Sequence, residues 1–318
     1  GPRLVDAITR LVPQTPVVAL VVGRNDVADF AESHTGNLAT SWRTTRAALS
    51  QAGAVLVDDE RELVDAAGAL SVTRSRPRAS ASVGMVTAQA GPGLLLLDDL
   101  RGRGIEVPEL SKTTQEVLSD LLPPLTFQRN PVDTGRPSPE FGKVLAAVAA
   151  DSASDVVAAY ALHEPKAVDL VAAGIEGRLD GVPLVVGVGG AAVAAGQTRA
   201  ALLDAGIATA ADPCGVAAAT AALLTDAQAQ HRRVSAEAFE DHPMPCCDAE
   251  SFDEAQAKDV VDQLGILTMP RRVCADRLEA LAALKELGPP VAVKLLDARI
   301  FHKTEIGGAH PNVRTPEE

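Results

Sequence analysis

The stretch 82–100, SVGMVTAQAGPGLLLLDDL, decides the fold. Residues 82–87 are an apolar run of strand length. A glycine-rich turn, Gln89-Ala90-Gly91-Pro92-Gly93, follows, and the leucine-rich segment beyond it reads as a helix. A buried strand, a glycine turn and a helix make one βα unit. Outward from it the pattern recurs. Strand-like runs over 17–22, 54–57, 155–161, 183–188 and 291–296 alternate with helical patterns over 41–52, 60–70, 111–122, 139–150, 165–177 and 192–205. That alternation predicts an α/β fold with parallel sheets covered by helices. Composition agrees, because 47% of residues are hydrophobic and only 3% aromatic, so the cores must be built from Val, Leu, Ile and Ala.

Two segments lack periodicity. One is 72–81 (VTRSRPRASA), and the other is 231–250, which contains HRRV and DHPMPCCDAE. Both are expected to be flexible connections, dividing the chain into 1–72, 82–230 and 251–318. The first block has few strands for a sheet and the last ends without a capping element, so the chain reads as an internal piece of something longer. A net charge of −13 with no basic patch argues against nucleic acid as a partner. No apolar run reaches the roughly 20 residues needed to span a bilayer, and no secretory signal opens the chain. Cys214, Cys246, Cys247 and Cys274 form no CxxC pair, which suits reduced thiols in a cytoplasmic protein and predicts no metal site.

Four constellations can carry chemistry. After the strand-like run 17–22, Gly23-Arg24 leads through a polar loop to Ser33-His34-Thr35-Gly36. Carboxyl ends of strands face the ligand crevice of an open α/β sheet, and a neutral imidazole there can act as a nucleophile. A loop histidine by itself is more often surface decoration. Gly91 and Gly93 open a helix where backbone N–H groups can meet an anion, although a bare turn explains them as well. Gly189-Gly190 repeats that arrangement, with tight helix packing as the alternative. Asn130-Pro131-Val132-Asp133 reads as a turn. Lys294, inside a β-like run, and His302-Lys303-Thr304 before Gly307-Gly308 form a cationic pair of elements suited to phosphate, or an ordinary edge strand.

Taken in order, these segments resemble the NDP-forming acyl-CoA synthetases, the family that includes ADP-forming acetate–CoA ligase and is related to succinyl-CoA synthetase. Gly23-Arg24 with Ser33–Gly36 is similar to the family's GR…SHTG phosphohistidine segment. VTAQAGPG is similar to its VTNxGGPG turn, 130–133 to its NPVD, 256–264 with GILTMP to the beginning of an ATP-grasp domain, and HKTEIGG to its HKTDVGG turn. Departures are Val21 for a lysine, Ala88 for an asparagine, Ala90 for a glycine, and His310-Pro311 in place of a regular strand.

The resemblance implies two flavodoxin-like (succinyl-CoA ligase-like) domains, the first incomplete, then the start of an ATP-grasp domain. It implies interconversion of acyl-CoA, ADP and phosphate with carboxylate, CoA and ATP. His34 would be catalytic, with Arg24, Ser33, Thr35, Gly36, Gly91 and Gly93 binding phosphate and Lys294 and Lys303 binding nucleotide. Mg²⁺ would accompany the nucleotide, and a homo-oligomer or a partner subunit is expected. The 318 residues alone are expected to have no turnover. A second implied possibility is a non-catalytic acyl-CoA-sensing module of a protein lysine acetyltransferase.

Overall fold

The computed structural model describes residues 1–24, 41–235, 252–300 and 302–318. The Ser33–Gly36 motif, Cys246 and Cys247 lie outside the described residues. The chain forms two compact units, Gly1–Ala236 and Glu237–Glu318.

In the first unit, α1 (Pro2–Leu11) precedes β1 (Val18–Leu20), and α2 (Trp42–Gln51) leads to β2 (Val55–Val57). β1 and β2 pair in parallel, Val18 opposite Val55. Helix α3 (Glu60–Val72) starts at Asp59, whose carboxylate accepts the Glu62 N–H, satisfying a first-turn donor.

A five-stranded parallel sheet follows, from β3 (Val83–Thr87), β4 (Val132–Asp133), β5 (Val156–Leu162), β6 (Leu184–Gly189) and β7 (Ala208–Ala210), in spatial order β4-β3-β5-β6-β7. The chain turns one way from β3 to β4 and the other way from β5 to β7. That is the doubly wound order, with its switch point between β3 and β5. Along β5 the side chains alternate: Val157, Ala159 and Ala161 enter one core, while Val156, Ala158 and Tyr160 enter the other. The first core is closed by α5 (Lys112–Leu121), α6 (Phe141–Ala149), α7 (Leu170–Glu176) and α8 (Ala192–Asp204). The second is closed by α3, α4 (Ala90–Gly102) and α9 (Pro213–Ser235), and it also takes in Val55 and Val57 of β2. Burial on both faces is why these strands read as continuous apolar runs.

The 72–81 segment is not a flexible connection. Arg74 reaches Asp226 on α9, donating to both carboxylate oxygens at 2.9 and 2.7 Å, and donates to the carbonyls of Val12 and Pro13. Arg78 pairs with Asp155 at 2.8 Å, and Ser75 is buried. Its irregular pattern reflects partners far away in sequence rather than freedom. Of the second expected connection, residues 231–235 belong to α9, and 236–250 lie outside the described residues.

Asn130 is more than a turn residue. Its amide oxygen accepts the Met85 N–H at 2.9 Å, and its amide nitrogen donates to the carbonyls of Val83 and Pro108 at 2.9 and 2.7 Å. The side chain thus continues the β3 ladder where β4 has not yet begun. Asn130→Ala leaves these buried groups unpaired and is expected to cost about 2–3 kcal/mol. A urea unfolding midpoint equal to wild type would refute this role.

The second unit contains α10 (Glu254–Gln263), α11 (Arg277–Leu287), β8 (Val291–Lys294) and β9 (Ala309–Val313). Asp253 and Gln256 form a capping box at α10. The expectation that His310-Pro311 would break the strand is corrected. β9 pairs antiparallel with β8, Val291 opposite Val313 and Val293 opposite His310, so the register shifts across Pro311-Asn312. Proline has no N–H to give a ladder and is tolerated at such a bulge.

Candidate functional site

Of the first group of candidate residues, Gly23 and Arg24 are described, and they follow the carboxyl end of β1. Gly23, at φ 96°, turns the chain out of the region of β1. Arg24 then lies over Trp42, its guanidinium carbon 5.7 Å from the ring centroid, and Arg46 lies 4.9 Å from the same ring. The Trp42 indole N–H donates to the Val21 carbonyl at 2.8 Å. Residues 21–24 and 42, which flank in sequence the 25–40 segment carrying Ser33, His34, Thr35 and Gly36, are therefore brought together. Val21, which stands where the family has lysine, contributes a backbone acceptor. Sequence reading passed over Trp42, although a lone tryptophan beside two arginines is a cation–π signal.

The second group is the β3–α4 turn. Thr87 Oγ1 donates to the Gln89 carbonyl at 2.7 Å, and Gln89 Oε1 accepts the Leu162 N–H at 3.2 Å, tying the turn across the switch point. Gly91 and Gly93 have different roles. A Cβ on Gly91 would meet open space, whereas one on Gly93 would stand 2.7 Å from Thr87 Cγ2. The Gly93 N–H is also taken, donating to the Gln89 carbonyl at 3.1 Å. Gly93 therefore serves close packing of helix on strand. Pro92 has no N–H, so the first-turn donors left to an anion are those of Ala90 and Gly91. Gly189 is likewise a packing glycine, since a Cβ there would overlap the Tyr160 hydroxyl. The described contacts do not join Arg24 to Gly91 or Gly93.

The third group lies within the second unit. Lys294, at the end of β8, places Nζ 2.8 Å from Glu254 Oε1, and Lys258 Nζ lies 2.9 Å from the same oxygen. Lys303 Nζ lies 3.6 Å from Glu254 Oε2. The turn 303–308 closes on itself, with the Gly308 N–H donating to the Lys303 carbonyl at 2.7 Å, and the Leu295 N–H donates to the Gly308 carbonyl at 2.7 Å. This hairpin connection carries Lys303 back beside Lys294. The hydrogen bond from Lys294, then that from Lys258, holds the Glu254 carboxyl down at about 2, so it is charged at neutral pH. Glu254 and Lys258 escaped the sequence reading. Their four-residue spacing was the available signal for a helical pair.

Among the described residues no group of three or more His, Cys, Asp or Glu side chains comes together to hold a metal ion. The one carboxylate of the lysine cluster is already taken by amino groups. The described residues therefore do not fit a resident Mg²⁺.

Residues 1–70 match the succinyl-CoA ligase like flavodoxin domain, and residues 247–318 match the ATP-grasp domain. The chain thus contains a segment of a succinyl-CoA ligase like flavodoxin domain and a segment of an ATP-grasp domain. Similar proteins include the alpha subunit of ADP-forming acetate–CoA ligase II from Pyrococcus furiosus, 34% identical over 42% of this chain and 29% of that one. ADP-forming acetate–CoA ligase I from Archaeoglobus fulgidus is 25% identical over 94% of this chain and 44% of that one. Among solved structures, the dinucleotide-forming acetyl-coenzyme A synthetase 1 of Ca. Korarchaeum cryptofilum, in complex with phosphate and ADP, superposes with a TM-score of 0.64. The superposition covers 74% of this chain and 52% of that one at 21% identity, which is a likeness of fold. The chain spans under half the length of the two curated relatives. No helix among the described residues is long and apolar enough to cross a membrane.

Proposed function

We propose that this chain takes part in interconverting acyl-CoA, ADP and phosphate with carboxylate, CoA and ATP, through a phosphoryl group carried on His34. Phosphate oxygen attacks the thioester carbonyl and the C–S bond breaks, giving acyl phosphate and CoA thiolate. An imidazole nitrogen of His34 attacks phosphorus and the P–O bond to the acyl group breaks, releasing carboxylate. The terminal oxygen of ADP then takes the phosphoryl group from nitrogen. Two transfers through a covalent intermediate replace one difficult step.

In this scheme Arg24, Ser33, Thr35, Gly36 and the free N–H groups of Ala90 and Gly91 attend the phosphoryl group, while Lys294 and Lys303 hold the nucleotide. Mg²⁺ enters only with the nucleotide, whose phosphate oxygens bind it, and no step is routed through it. The divisions 1–72, 82–230 and 251–318, a cytoplasmic location, and assembly as a homo-oligomer or with a partner subunit belong to the same proposal. The sensor alternative has no observation in its favour among the relatives described above.

The observation that carries the nucleotide assignment is the gathering of Lys294 and Lys303 in a segment matching the ATP-grasp domain. Lys294→Ala in the full-length protein is expected to weaken ADP binding by ~1.5–3 kcal/mol, the worth of a charge-assisted contact. An unchanged dissociation constant by calorimetry would remove Lys294 from the nucleotide site.

A further inference from the structure

The second unit gathers three amino groups on one carboxylate. Lys258 and Lys294 share Glu254 Oε1, and Lys303 approaches Oε2. Charge does not balance here, because one anion faces three cations, so about two positive charges remain uncompensated within the cluster. Like charges held this close repel, and they are placed together only where an anion sits among them. Glu254 supplies that anion from within the chain. It stands at the first position of α10, just after the Asp253 cap, so its backbone is fixed by the capping box while its side chain is held by the lysine amino groups. The cluster is also accessible: the side chains of Lys258 and Lys294 are 34% and 45% exposed, and that of Glu254 is 30% exposed.

We propose that Glu254 is a built-in stand-in for a ligand phosphate, occupying the centre of an anion site formed by Lys258, Lys294 and Lys303 until a polyphosphate displaces it. This deepens the nucleotide-binding reading and rests on it, while adding Lys258 and Glu254 to that site. An incoming anion must outcompete a single carboxylate for three amino groups. A diphosphate brings more charge and more acceptor oxygens than orthophosphate, so it displaces Glu254 more readily. Displacing Glu254 costs the same whichever anion does it, so the carboxylate weakens binding of both and leaves the site to the anion with the larger gross affinity, the polyphosphate of a nucleoside di- or triphosphate.

The test uses inorganic pyrophosphate and orthophosphate as probes of the full chain, by calorimetry at low ionic strength. Glu254→Gln removes the competing charge while keeping side-chain size and the Asp253 cap. It is expected to tighten pyrophosphate binding about 5-fold, the effect of one unit charge at close range in water. Orthophosphate should gain by a similar factor, because the cost of displacing Glu254 is common to both anions. Lys258→Met, a second variant, should weaken pyrophosphate binding. Glu286→Gln, which removes a carboxylate outside the cluster, should do nothing, and circular dichroism should match wild type throughout. Pyrophosphate binding that is absent, unchanged or weaker in a folded Glu254→Gln chain would overturn the proposal. Failure of the nucleotide reading is read separately: ADP binding no tighter than pyrophosphate would sink that reading and leave the anion site standing.

Discussion

Replacing Arg74 with alanine is expected to destabilise the Gly1–Ala236 unit by about 3–5 kcal/mol, because it leaves a buried carboxylate without its counter-charge. Asp226 lies within α9 and its side chain is 1% exposed. Arg74 gives it two hydrogen bonds in the fork geometry that guanidinium makes with carboxylate, and Gln230 adds one at 2.6 Å. The same guanidinium donates to the Val12 carbonyl at 3.0 Å and the Pro13 carbonyl at 3.3 Å, so one side chain ties the end of α1 and the 72–81 segment to α9. Arg74→Lys keeps the charge but loses the fork and should fall between wild type and alanine. Arg74→Met combined with Asp226→Leu removes the charge pair as a whole and should recover much of the loss. The single tryptophan, Trp42, lies in this unit and reports its unfolding by fluorescence in urea. A midpoint shift for Arg74→Ala equivalent to less than about 0.5 kcal/mol, the size of an ordinary surface change, would contradict the account.

Much of the architecture was legible because it rests on short-range regularities. Residues 82–87, 155–161 and 183–188 are apolar runs of strand length, and they became β3, β5 and β6 within a residue at each end. β4 and β7 were passed over because two or three residues carry no period of their own. Their pairing is imposed by neighbours, with Asn130 completing the β3 ladder and Ala208 opposite Val185. The 72–81 segment was misjudged for a related reason, since Arg74 finds its partner 152 positions away and no local pattern signals it. In the candidate site, motif order placed Lys294 and Lys303 together. It could not distinguish Gly91 from Gly93, because that depends on where the Thr87 side chain stands. Nor could it find Glu254, whose role comes from three amino groups converging through space.

The second large effect concerns His34. His34→Asn in the full-length protein is expected to remove turnover below detection, since the proposed reaction passes through a bond to the imidazole nitrogen and an amide side chain offers no equivalent nucleophile. The flanking Ser33 and Thr35 hydroxyls are available for phosphorylation in principle, so loss of activity alone does not identify the carrier. Phosphorus on imidazole nitrogen is lost in acid and kept in base, whereas a phosphate ester on a hydroxyl withstands acid. Arg24, held over Trp42 where the 25–40 segment begins, is expected to favour the charged adduct, and Arg24→Ala should reduce labelling without changing its acid lability.

The direct measurement is therefore to incubate the full-length protein with γ-phosphate-labelled ATP and Mg²⁺ and divide the product between acid and base. The account predicts label that disappears in acid, persists in base, is absent from His34→Asn and is chased off by ADP. Acid-stable label, or label that survives in His34→Asn, would contradict it.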